Sequence, residues 1–229
     1  MILTKRYVSK RLQDRLVLWI NPRSISYRVG TKWPVTRPLQ KRIKALPNVP
    51  FLSKGLIRFL RVYHPFVIPA RSYNETFPIE SHDKYVKVKD LLVCRDDITS
   101  SDWYKSLAGE IEKHGVAKHK HIEMRTENDI KSFFADYALD LAESLATSGY
   151  CLDKGKDIGT VLVGPDGSLH KSASGNHRFH IARILGVSPV PVMVAGVHQA
   201  WYEPIAKTRK DSRLSELARS LAEVEQKHQ

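Results

Sequence analysis

Between Gly159 and Val194 the chain carries a series of local signals that leaves few folds open. Gly159-Thr-Val-Leu-Val163 reads as a strand, Gly164-Pro-Asp-Gly167 as a turn, and Ser168-Leu-His-Lys171 as the return strand. Ser172-Ala-Ser-Gly-Asn-His-Arg178 then turns sharply into a helix that Gly186 closes, ahead of a strand at Pro189-Val-Pro-Val-Met-Val194. A glycine turn entering a helix aims free N–H groups and the positive end of the helix dipole at one point. Here an imidazole and a guanidinium join them, the combination an anionic phosphate requires. Ser174, Gly175, Asn176, His177 and Arg178 are therefore the candidate phosphate-binding residues. The competing reading is a plain helix cap with Arg178 solvated in the first turn.

This hairpin, the Gly-x-His-Arg turn, the Ala-x-x-Leu-Gly helix end and the Val-Pro-Val strand resemble the ParB/sulfiredoxin superfamily. Its members hold nucleotide phosphates at this turn: ATP in sulfiredoxin, ADP or ATP in the free serine kinases, CTP in the partitioning ParB proteins. The resemblance covers roughly residues 84 to 200. It takes Tyr85–Leu92 as the family's opening strand and Asp140–Leu145 with Gly149 as the helix before the hairpin. Two departures narrow what it implies. Sulfiredoxin's reactive cysteine position is Asn176 here, and an amide cannot serve as a thiolate nucleophile. Little more than thirty residues follow Val194, too few for the DNA-reading domain of partitioning proteins. The His-Arg-Phe wording is nearest the serine kinases, in which an acidic residue after the opening strand acts as base. On that likeness Asp96 and Asp97 are candidate bases or Mg²⁺ ligands, against the alternative of a solvated loop.

Phosphoryl transfer asks a protein mainly for positioning and charge neutralisation, and His177 and these carboxylates are the catalytic candidates. His177 and His180 share a helix face, as metal ligands would, but no third ligand accompanies them. His119, His121 and Glu123 alternate on what reads as one strand, a second metal arrangement weighed against an exposed strand face.

Charge divides the chain. Residues 1–71 hold sixteen Lys and Arg against one acid, Asp14, a net of +15, while the whole chain carries +13. In the basic part, Leu52, Leu56, Phe59, Leu60 and Tyr63 fall on one face of a helix from Phe51, with Lys54, Arg58 and Arg61 opposite. Three fates compete: docking on the core domain, lying on an anionic membrane surface, or contacting nucleic-acid phosphates. Docking, which buries Leu52, Leu56, Leu60 and Tyr63, is expected. The prolines at 34, 38, 47 and 50 make Thr31–Pro50 read as extended. Leu16–Ile20 is five apolar residues, far short of the roughly 20 that a membrane span requires. Cys94 and Cys151, outside any CxxC spacing, read as free thiols of a reducing cytoplasm.

Three further helices are expected: Ser101–Lys113, a capping-box helix from Thr126 to Gly149 with its aromatic stripe in a core, and Ser212–Gln226. The expectation is an α+β protein: a basic extension (1–80), a ParB/sulfiredoxin-like nucleotide-binding domain (81–205) and a C-terminal amphipathic helix (206–229). The expected function is that of a cytoplasmic kinase using ATP or ADP, with CTP a further option, together with Mg²⁺, on a small hydroxyl acceptor. The alternative is a nucleotide-gated binding protein, peripheral to the inner membrane face or bound to nucleic acid through residues 1–71.

Overall fold

The structure, a computed structural model, describes residues 3–45, 50–73, 76–119, 122–151 and 158–229. In chain order its elements are α1 (Lys5–Leu12), β1 (Val17–Ile20), β2 (Tyr27–Val29), α2 (Arg37–Lys44), α3 (Pro50–Val62), β3 (Val67–Ile68) and β4 (Thr76–Pro78). There follow α4 (Asp83–Val93), α5 (Asp102–His114), β5 (Ala117–His119), β6 (Ile122–Met124), α6 (Glu127–Phe134) and α7 (Asp140–Ser148). The last are β7 (Gly159–Val163), β8 (Leu169–Lys171), α8 (Asn176–Leu185), β9 (Val190–His198), α9 (Gln199–Ala206) and α10 (Arg213–Lys227). The protein is α+β, as expected.

Two compact units share these elements. The first consists of Met1–Ile79, Asp157–Gly175 and Pro189–Gln229, the second of Glu80–Lys156 and Asn176–Ser188. The first unit is built on a mixed sheet in the order β1-β9-β7-β8-β2-β4, with β3 also paired to β9. β7 is buried along its whole length and β9 nearly so, as central strands of the sheet with a neighbour on each side. The β7–β8 hairpin forms as the sequence suggests. Its turn holds Gly167 at φ 82°, and the Asp166 carboxylate accepts from the Ser168 N–H and hydroxyl. α10 buries Leu217, Leu221 and Val224 and contacts β1.

The basic segment is not a separate extension. β1 pairs antiparallel with β9, Leu18 opposite Val192, and β2 runs parallel to β8 with Tyr27 opposite His170. A unit boundary does fall between Ile79 and Glu80, but the segment before it belongs with residues 157–175 and 189–229. Residues 37–44, read as extended, form α2, because Pro38 sits in its first turn, where a helix needs no N–H from it. α3 forms where expected, but it turns the other way. Ile57 is buried, while Leu56, Phe59 and Tyr63 are 48%, 56% and 58% exposed; the Leu52 side chain lies outside the described residues.

The second unit is helical around a cluster of Leu91, Trp103, Tyr104, Leu107, Ala117, Met124, Ile130, Phe133, Phe134 and Ala138. α5 starts on a Ser101 cap and stops at Gly115 with φ 70°. α6 starts on the expected capping box, the Thr126 hydroxyl accepting from the Asp129 N–H and the Asp129 carboxylate from the Thr126 N–H. A π-helical turn, Ala135–Leu139, separates α6 from α7, which Gly149 ends. The supposed opening strand at 85–92 is instead α4. Its buried residues Tyr85, Val88, Leu91 and Leu92 recur at helical spacing, whereas Val86 is 52% exposed. The expected strand through His119 and Glu123 is a hairpin, with β5 antiparallel to β6, and His121 falls outside the described residues.

Candidate functional site

The chain reaches the candidate turn along β8, and the first unit ends within it. Gly175 has φ 61°, and a Cβ there would meet Gly159 Cα and N at 2.6 Å and Ile158 C at 2.8 Å. Both the dihedral and the approach admit only glycine. The turn is held from behind by a buried cation. Lys171 is 1% exposed, and its Nζ donates to the carbonyls of Ser172, at 2.8 Å, and of Ser174. Thr160 and Ser172 join hydroxyls at 2.5 Å across the β7–β8 ladder. The Ser174 hydroxyl accepts from Lys32 Nζ at 2.9 Å. Lys32 and Lys171 were not among the expected residues. Lys171 alternates onto the buried face of β8, a position that periodicity assigns to an apolar side chain, and Lys32 comes from a distant loop.

From Asn176 onward the same backbone belongs to the second unit and opens α8. Asn176, His177 and Arg178 are partly exposed, and α8 packs on α4 and α7. The Arg178 guanidinium lies 6.0 Å from the Tyr150 ring centroid. The Tyr137 hydroxyl is hydrogen-bonded to the His177 ring, lying against Nε2 and 3.1 Å from Nδ1, and is also 3.2 Å from His119 Nε2. Burial pushes the Tyr137 phenol up to about 12, so it stays protonated and has one proton to share between two imidazoles. A phenol between two rings fixes their orientation. The π turn that carries Tyr137 is the kind of helix irregularity often met at functional sites. In the sequence Tyr137 reads only as one ring of a core stripe; its ring does stack on Phe133, and its hydroxyl reaches the two imidazoles.

The carboxylate candidates have local partners of their own. Asp96 and Asp97 follow a helix and not a strand. The Asp96 side chain is 97% exposed, with Arg95 Nε at 3.8 Å. Asp97 caps the 3₁₀ turn Ile98–Ser100, accepting from the Thr99 N–H at 3.2 Å and the Thr99 hydroxyl at 2.6 Å. Each has the surroundings of a solvated loop acid. His180 does not join His177 in a ligand pair: it is 1% exposed and packed by the rings of His82 and Tyr85. The described residues contain no group of three or more His, Cys, Asp or Glu placed to hold a metal ion. In the β5–β6 hairpin Glu123 pairs with Lys118 at 2.7 Å, which holds its carboxyl below the usual range.

No helix among the described residues is long and apolar enough to cross a membrane. Compared with protein families, characterised proteins and solved structures, the chain matches none.

Proposed function

We propose that the chain binds a nucleotide by its phosphates along Ser174–Arg178 and transfers a phosphoryl group to a small hydroxyl acceptor. The observation that carries this reading is the coincidence, within three residues, of a glycine-only turn and an imidazole held by a phenol. Gly175 lets the chain turn hard against the Gly159 backbone, and the first N–H groups of α8 follow it. His177, oriented by Tyr137 and His119, replaces Asp96 and Asp97 as the group that takes the acceptor's proton. Because the described acids form no metal cluster, Mg²⁺ enters this reading only with the nucleotide, and no step depends on a protein-held ion.

The order of hairpin, glycine turn, helix and strand supports a ParB/sulfiredoxin-like arrangement. The helix at 83–93 in place of an opening strand departs from it. Calorimetric titration with ATP, ADP and CTP tests the binding: Arg178→Ala should lose roughly ten- to a hundredfold in affinity, as expected for one charge-assisted contact. Absence of binding to folded wild type overturns the reading. Tyr137→Phe should keep affinity and lower turnover, since it loosens only the base.

A second reading rests on α3. Its exposed Leu56, Phe59 and Tyr63 adjoin exposed Lys54, Arg58 and Arg61, the pattern of a helix lying on an anionic membrane surface. Co-sedimentation with anionic vesicles, lost with neutral vesicles and weakened between about 50 and 200 mM salt, tests it. Preference for duplex DNA over vesicles would refute it.

A further inference from the structure

The basic segment brings two lysines to one indole. Lys5 Nζ lies 4.4 Å and Lys32 Nζ 5.8 Å from the Trp33 ring centroid. Lys5 opens α1, packed through its own N–H on the His64 carbonyl at 2.7 Å, while Lys32 and Trp33 lie in the loop after β2. His64 is fully buried, with its ring 5.3 Å from that of Trp33. Neither of its ring nitrogens has a hydrogen bond of ordinary geometry. Among the described residues, no carboxylate lies within ion-pair distance of Lys5 or Lys32. Two ammonium groups drawn toward one partly buried ring therefore repel each other without a counter-charge. A cation–π contact is a weak return for holding two like charges together. Lys32 already reaches the turn, donating to Ser174.

We propose that Lys5, Lys32 and Trp33 form a second phosphate subsite in the first unit, adjoining Ser174, that takes the distal phosphate of an oligophosphate chain. The missing counter-charge is the ligand. Two ammonium donors and one hydroxyl match the outer oxygens of a terminal phosphate, and the Trp33 ring walls that end of the site, holding the lysines more weakly than a phosphate would. This deepens the nucleotide reading and rests on it for the identity of the chain beyond the phosphates. It makes one distinction that reading does not: triphosphates should be preferred to monophosphates, because only they reach the lysine pair.

The test uses the full chain and three probes, ATP, AMP and inorganic tripolyphosphate, read by calorimetry and by Trp fluorescence. Lys5→Met and Lys32→Gln should each weaken ATP and tripolyphosphate roughly ten- to a hundredfold and leave AMP within about twofold. Lys10→Gln, an exposed cation on the same helix, should change nothing. Trp33→Phe should remove the ligand-dependent part of the fluorescence change while preserving most of the affinity. If ATP binding is lost in Arg178→Ala but unchanged in both lysine variants, the subsite is refuted and the nucleotide reading stands. If tripolyphosphate binds through the lysines while no nucleotide binds, the subsite stands and the nucleotide reading falls. A salt-dependent tripolyphosphate affinity equal in wild type and both variants also refutes the subsite.

Discussion

Replacing Lys5 by methionine should stabilise the free protein at neutral pH and make that gain depend on pH. Burial, and then the nearby charge of Lys32, pull the Lys5 ammonium down from 10.5 to about 8. Below pH 8 both folded and unfolded chains carry the proton, so the folded state bears the full cost of a desolvated charge. Between 8 and 10.5 the unfolded chain binds the proton more strongly and stability climbs with pH; above 10.5 the cost has vanished. At about 1.4 kcal/mol per pH unit the drop sets an upper bound of about 3 kcal/mol. The lost cation–π contact with Trp33 offsets about 0.5–2 kcal/mol of it, and a methionine stem keeps most of the packing. Lys5→Met should therefore gain about 1–2 kcal/mol at pH 7, falling to zero or below near pH 10.5. Urea unfolding at pH 7, 9 and 10.5, in a buffer free of phosphate and sulfate, measures it. A loss exceeding about 1 kcal/mol at pH 7, or a difference flat with pH, would refute the argument that Lys5 is held against its own solvation. The same substitution should weaken tripolyphosphate binding, so stability and affinity move in opposite directions, as they do where a strained group serves a ligand.

Gly175→Ala should destabilise by about 2–5 kcal/mol, the sum of a left-handed dihedral for alanine and a Cβ lodged against the Gly159 backbone; a melting temperature within a degree or two of wild type would disprove the close approach. Burial, followed by the Lys5 charge, pulls His64 down to about 4, so the unfolded chain binds its proton first and stability should fall as pH drops from 6.5 to 4. His64→Phe should flatten that acid limb, which equilibrium unfolding at pH 7, 5.5 and 4.5 would show. The combined Leu56→Ser, Phe59→Ser and Tyr63→Ser variant should unfold within about 1 kcal/mol of wild type, because those side chains already face water; Ile57→Ala alone should cost about 2–4 kcal/mol.

Elements whose signals are local were legible in the sequence. The Thr126 box, the Ser101 and Gly115 caps of α5, the β7–β8 hairpin and the stripe of α10 each declare themselves within one or two turns of chain. α4 misled because Tyr85-Val-Lys-Val-Lys89 alternates in type. What decides is that Val86 is half exposed, while Tyr85, Val88 and Leu91 share a buried stripe. α2 was hidden by reading Pro38 as a breaker without asking which turn it occupies. The basic extension proved to be part of the sheet because β1 and β2 pair with strands far along the chain, and no local pattern encodes that partnership. The candidate turn was legible as a glycine turn. Other groups were not: within the second unit Tyr137 reaches His177 and His119, and within the first Lys32 reaches Ser174 while Lys5 and Trp33 meet, all through tertiary structure alone.

The pairing of β1 with β9 and of β2 with β8 has a consequence for how the protein is made. Leu18, Ile20 and Val29 leave the ribosome early, but the strands that bury them end at Lys171 and His198. At about 5–20 residues per second, those early strands wait on the order of ten seconds or longer with open edges. The cluster of the second unit draws only on residues 91–138 and can close during that interval. The cluster of the second unit can thus form before the sheet of the first is complete. The nascent chain should be most dependent on holding chaperones, and most prone to aggregate, in the window after β2 has emerged and before β9 has.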